Sequence, residues 1–130
     1  MRAPVEVLVC TTCKRPDMDP EATRPGAVLL EQIEAGSIPA GVTVQGVECL
    51  SNCDHGCSVV LRGGEQRWTY VYGNLDPAED GAELLRDGAE RYAATRDGLV
   101  PWRERSQHFR KNCIARIPPQ NPIPSLEAAE

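Results

Sequence analysis

Aromatic residues are scarce, at 5% of 130 residues, and no apolar run approaches the roughly 18 residues that span a bilayer. That excludes a membrane-spanning helix. The opening stretch, MRAPVEVLVC, has one Arg, a short apolar segment and no small-residue cleavage pattern. No secretory leader is therefore expected, and the protein is read as cytoplasmic. Basic residues do not dominate either. Lys and Arg total 14 against 19 Asp and Glu, a formal net charge of -5 that argues against general nucleic-acid affinity. The chain has no Gly-rich phosphate loop, no Ser/His/Asp order with a nucleophile elbow and no paired-carboxylate motif, so no enzyme constellation is visible. No internal repeat is visible. What is present, 41% hydrophobic and 25% charged residues, is an ordinary globular composition with length for one core.

The cysteines carry the argument. There are six: Cys10, Cys13, Cys49, Cys53, Cys57 and Cys113. An even count in a short chain is compatible with disulfides, but those need an oxidising compartment. In a reducing cytosol, clustered thiols are more often metal ligands or redox groups. Five of the six fall into two tight groups, and each group follows an expected strand.

Val5 to Val9 are mostly β-branched and read as a buried strand ending at Cys10. A polar loop with Pro16 follows. Thr23 is a candidate cap and Pro25 suits a first helical turn, with Leu29, Leu30 and Ile33 on one face and Gly36 as the stop. Val42, Val44 and Val47 form a second strand that runs into Cys49. Strand, helix, strand in this length is a βαβ unit with a parallel pair. After the ECLSNCDHGC loop, Ser58 to Arg62 is a strand, Gly63-Gly64 a two-residue hairpin turn, and Arg67 to Tyr72 the return strand. Asp76, Pro77 and Glu79 form a helix-start signal, and Ala78, Ala82, Leu85, Ala89 and Tyr92 recur at helical spacing until Gly98. The expected order is β-α-β-β-β-α over residues 1–100. Residues 102–117 hold five Lys/Arg and one acid, which leaves -9 on the rest. Residues 101–130 are read as a basic, then Pro-rich, extended tail.

Parallel neighbouring strands end side by side, so Cys10-x2-Cys13 and Cys49-x3-Cys53 would meet at one sheet edge. Four soft thiolates there select zinc, Cu(I) or an iron–sulfur cluster. A [2Fe–2S] cluster needs two ligands per iron, and two pairs, one per loop, meet that demand. Zinc and a redox-active CxxC dithiol remain open. Pro16 and the Asp/Pro-rich loop weaken the dithiol reading, because no helix N-terminus directly follows the CxxC to lower a thiolate pKa.

The stretch from Glu48 through Cys49-Leu50-Ser51-Asn52-Cys53-Asp54-His55-Gly56-Cys57 to Val60, followed by Trp68-Thr69-Tyr70, resembles the thioredoxin-like [2Fe–2S] ferredoxins. Their pattern is C-L-x-x-C-x-x-G-P-x-V-V, then a hairpin carrying W-Y. Cys57 stands where that family has Pro, and that family usually spaces its first ligand pair more widely than Cys10 and Cys13. A bacterial family of predicted metal-binding proteins, DUF1636, resembles the chain more closely. That likeness runs from Leu8 through the C-L-S-x-C-x-x-G-C loop and the W-T-Y-V-Y-G strand to Ala115–Pro119. The resemblance implies a thioredoxin-like α/β fold: a mixed four-stranded sheet with flanking helices. It implies a ferredoxin-like electron carrier rather than an enzyme. The [2Fe–2S] cluster would sit on Cys10, Cys13, Cys49 and Cys53, with Cys57 as a fifth candidate metal ligand. It also implies a redox partner protein, a homodimer and a link to cobalamin biosynthesis. The alternatives are a zinc-binding structural or metallochaperone protein, or a CxxC thiol oxidoreductase.

Other residues are weighed against plainer roles. His55, inside the second cysteine loop, reads as solvated before it reads as a ligand. Gly56 suits a positive φ or close approach of backbone N–H groups to sulfur. Trp68, Tyr70 and Tyr72 read as core or cross-strand pairs before an electron path. The acids Glu79, Asp80, Glu83, Asp87 and Glu90 read as a solvated helix face that can also steer a basic partner. Cys113 reads as a bystander thiol. The basic 102–117 segment folds back on the acidic body or binds a partner.

Overall fold

The structure is a computed structural model and describes residues 4–11, 24–48, 57–77 and 79–121. Its elements are β1 (Val5–Cys10), α1 (Pro25–Ala35), β2 (Val42–Val47), β3 (Val59–Arg62), β4 (Thr69–Tyr72), α2 (Gly81–Ala93), α3 (Gln107–Lys111) and β5 (Cys113–Ile117). A single 3-10 turn spans Trp102–Glu104.

The five strands form one sheet in the order β2-β1-β3-β4-β5. The β1–β2 pair is parallel, with Val5 opposite Val42 and Cys10 opposite Val47. The remaining pairings are antiparallel. Strand β3 therefore runs against β1, β2 and β4. With α1 after β1 and α2 after β4, this is the thioredoxin-like arrangement that the sequence implies.

Side chains alternate across a strand. Val5, Val7 and Val9 face one way and are all but inaccessible, at 1%, 1% and 0% exposure. Register puts Leu61 beside Val7 and Val59 beside Val9, and continues to Tyr70 and Tyr72. This surface packs with Leu29 and Ile33 of α1 and Leu85, Ala89 and Tyr92 of α2 in one core. Tyr70 and Tyr72 stack with their rings 5.6 Å apart, and Tyr92 meets Tyr70 edge-on. Tyr70 and Tyr72 are thus core residues, as expected, and Trp68 packs partly buried against the core.

Three local expectations change. The helix start at Asp76-Pro77 is a turn instead: the Asp76 carbonyl accepts the N–H groups of both Glu79 and Gly81, and α2 begins at Gly81 with Asp80 as its cap residue. A Cβ on Gly81 would lie 2.7 Å from the Asp76 oxygen, so this tight turn needs glycine there. Ala78 lies outside the described residues, as does Thr23, and the cap position of α1 is Arg24. The β3–β4 connection is longer than a two-residue hairpin, because Arg67 turns inward instead of joining the strand. Its guanidinium is buried and donates to the carbonyls of Ala93, Thr95 and Gly63, closing the C-terminal end of α2.

The sheet also has five strands where four are expected. The extra strand, β5, comes from the basic segment. Its side chains are all exposed and show no buried alternation, so hydrophobic patterning is silent there. Backbone pairing with β4 and the Arg116 guanidinium 4.8 Å from the centre of the Trp68 ring hold it. Phe109 of α3 anchors the preceding segment, buried against Tyr72 with ring centres 4.2 Å apart.

Candidate metal centre

One end of the sheet gathers the described residues that flank both cysteine loops. Cys10 closes β1 and lies opposite Val47, the last residue of β2. The N–H of Thr11 donates to the Val47 carbonyl at 2.8 Å, and the Cys10 thiol points its hydrogen at the Glu48 carbonyl, 3.7 Å away. On the other side, the Cys10 N–H donates to the Ser58 carbonyl at 3.0 Å, which brings Cys57 within a residue of this end. Cys57 itself exchanges two backbone hydrogen bonds with Leu75, of 3.1 and 3.3 Å. Cys10 is 3% exposed and Cys57 0%.

Of the proposed ligands, the structure therefore places Cys10 and Cys57 at the same end of the sheet. Cys13, Cys49 and Cys53 lie outside the described residues, as do His55 and Gly56. Among the described residues, no group of three His, Cys, Asp or Glu side chains is arranged to hold a metal ion. Along the chain, Cys13 is three residues beyond Cys10, Cys49 two beyond Val47, and Cys53 four before Cys57.

Cys113 starts β5 opposite Tyr72, in the transverse row that runs through Val59 and Val9. Three strand spacings separate it from β1, about 14 Å at the usual spacing. It is exposed, and partial burial raises its thiol above the ordinary value, while Arg105, Arg116 and a hydrogen bond from the Ala115 backbone oppose the shift.

Two features of this end were not found by sequence reasoning. Helix α1 begins twelve residues after Cys13, yet its first turn returns to Cys10. A Cβ on Gly26 would sit 1.8 Å from the Cys10 carbonyl oxygen, so only glycine lets the helix lie there. Pro25 marks the helix start in the sequence, but nothing there signals the role of Gly26. The second feature is Arg24, just before that helix. Its Nη1 is buried and has no hydrogen-bond acceptor among the described residues. A buried, unmatched cationic donor favours an anionic neighbour.

The donor set suits a thiophilic metal or cluster: Cys10 and Cys57 lie at this sheet end, the sequence holds three further thiols close to them in the chain, and a guanidinium nitrogen unmatched among the described residues stands at the cap of the adjoining helix. A [2Fe–2S] cluster with four thiolates is anionic and takes sulfur ligands, so these residues fit it.

A family described as "Protein of unknown function (DUF1636)" matches residues 7–119. No curated protein matches the chain. Among solved structures, a thioredoxin-like [2Fe-2S] ferredoxin from Aquifex aeolicus is similar, with 18% sequence identity and a TM-score of 0.48 over 93% of this chain and 99% of that one.

Proposed function

For this chain, which belongs to the DUF1636 family, we propose the function of a metal-binding electron carrier that holds a [2Fe–2S] cluster on Cys10, Cys13, Cys49 and Cys53. The observation that supports the reading is the parallel β1–β2 pair with Cys10 opposite Val47, because it sets Cys10 beside the strand end that leads into Cys49 in the sequence. The cluster would supply one-electron chemistry, and the chain's part is to hold and tune it. Thiolates from both loops bind it. The buried walls formed by Val9, Val59 and Leu75 limit water around the sheet end. Arg24 offers a donor to negative charge. Cys57 is the fifth candidate ligand, and its complete burial equally suits a packed side chain. A redox partner protein, a homodimer and a link to cobalamin biosynthesis belong to the same proposal and rest on the family resemblance; a cytoplasmic setting belongs to it too and rests on the N-terminal sequence.

A second reading has its own support. The first turn of α1 stands on Cys10, and a helix N-terminus stabilises a nearby thiolate. That favours a thiol oxidoreductase using Cys10 and Cys13. Zinc on the same thiolates is the third outcome. Metal and sulfide analysis of protein purified without oxygen separates them: two iron and two sulfide per chain, one zinc, or neither with turnover of a disulfide substrate.

A further inference from the structure

The basic segment carries a surface that the candidate metal centre does not use. Trp102 is 60% exposed, unusual for the largest side chain. Two guanidinium groups flank its ring, Arg105 at 5.7 Å and Arg110 at 5.9 Å. Neither is loose. Arg110 donates to the carbonyls of Trp102 and Arg103, and Arg105 to that of Val100. Arg103 and Lys111 are exposed alongside them in sequence. Among the described residues, none of these four cations makes an ion pair: the two recorded pairs are Arg62–Glu6 and Arg91–Asp87. The expected fold-back of this segment onto the acidic body is therefore not made through carboxylates of the described residues.

This surface adjoins the metal-centre end of the sheet. Cys57 pairs with Leu75; two residues before Leu75, the Gly73 N–H donates to the Asn112 carbonyl and the Gly73 carbonyl accepts from His108 Nε2 at 3.0 Å. Between them Asn74, held at φ 60, bonds the Asn112 side chain. The joint between α3 and β5 is thus tied by short bonds to the strand end that carries Cys57.

We infer that Trp102, Arg103, Arg105, Arg110 and Lys111 form the docking surface for an acidic protein, the redox partner of the proposed function, on which this inference rests. Arginine and tryptophan are the side chains that dominate interface energetics, and here their geometry is fixed before binding. The charge decides between macromolecules. Residues 102–117 are strongly basic, but the rest of the chain carries -9. An extended polyanion such as nucleic acid would run onto that repulsive remainder. A folded partner with its acids on one face would not.

The test uses an acidic flavodoxin as the probe protein and the whole chain as purified, with iron counted separately. Binding is measured by calorimetry at about 20 and about 200 mM salt, for the wild type, Trp102→Ala and the double variant Arg103→Glu/Lys111→Glu. The altered side chains are exposed, so folding does not depend on them. The wild type should bind, more weakly at the higher salt, and both variants should bind about tenfold or more weakly. Absence of binding, variants that bind like the wild type, or tighter binding of a dT20 oligonucleotide than of flavodoxin would overturn the inference. Iron-free protein that still binds in this pattern keeps the docking surface and removes the cluster reading. Iron-loaded protein whose variants bind unchanged does the reverse.

Discussion

The N–H of Cys10 donates to the carbonyl of Ser58 at 3.0 Å, locking the end of β1 to the residue that follows Cys57. Two cysteines 47 positions apart in the chain are thereby held at one end of the sheet. The bond is a backbone bond, so it survives replacement of either thiol. Single Ser substitutions at Cys10 and Cys57 therefore report on sulfur chemistry with the frame intact.

Cys10→Ser should lose iron and sulfide, because a neutral hydroxyl is a poor ligand and each iron needs two thiolates. Cys57→Ser should keep both while losing about 1–3 kcal/mol of stability, the cost of putting a polar hydroxyl in a fully buried site. Iron and sulfide assays with urea melts check this. If Cys57→Ser loses the cluster, Cys57 is a ligand and one of Cys10 and Cys13 is spare. Cys113→Ser should leave iron unchanged.

Gly26→Ala tests the packing of α1 on the strand end. Its Cβ would overlap the Cys10 carbonyl, and backbone on backbone has no flexible side chain to yield. A loss of about 1–3 kcal/mol is expected from overpacking, with reduced metal retention as the helix moves off Cys10. The neighbouring Ala27→Ser, on the same helix and only partly buried, should leave metal content unchanged.

The aromatic core predicts a response to alkali. Burial is the main cause that raises the Tyr72 and Tyr92 hydroxyls well above the ordinary tyrosine value of about 10. Between the ordinary and the raised value the unfolded chain has released these protons and the folded chain has not. Stability is therefore fully present below about pH 10 and falls as pH rises above it. Tyr92→Phe should flatten that fall, at a cost of about 1 kcal/mol near neutral pH from the lost bond to the Trp68 carbonyl. Urea midpoints from pH 8 to 11 check the slope, and an unchanged slope in the variant contradicts the assignment.

Much of the architecture was legible because periodicity reports burial. Val5 to Val9, Leu29 with Ile33, and the Leu85, Ala89, Tyr92 stripe all lie where their spacing puts them. What stayed hidden was fixed by backbone and by charge. Strand β5 has no buried side chain, so pairing alone makes it a strand. Arg67 reads as a polar strand residue, yet it is buried because two carbonyls at the end of α2 and one of its own loop meet it. Gly26 is required by a contact with Cys10, sixteen positions earlier in the chain, which no local pattern encodes. At the candidate site, the cysteine spacing and the parallel strands could be read directly. The return of α1 to Cys10 and the unmatched Arg24 nitrogen came from tertiary packing.

The central claim is that the thiols at this sheet end hold a [2Fe–2S] cluster. The most direct measurement is iron, acid-labile sulfide and zinc per chain, together with the visible spectrum, on protein purified without oxygen. The account predicts a brown protein with about two iron and two sulfide per chain, both lost in Cys49→Ser and Cys53→Ser. A colourless protein with one zinc per chain would contradict it.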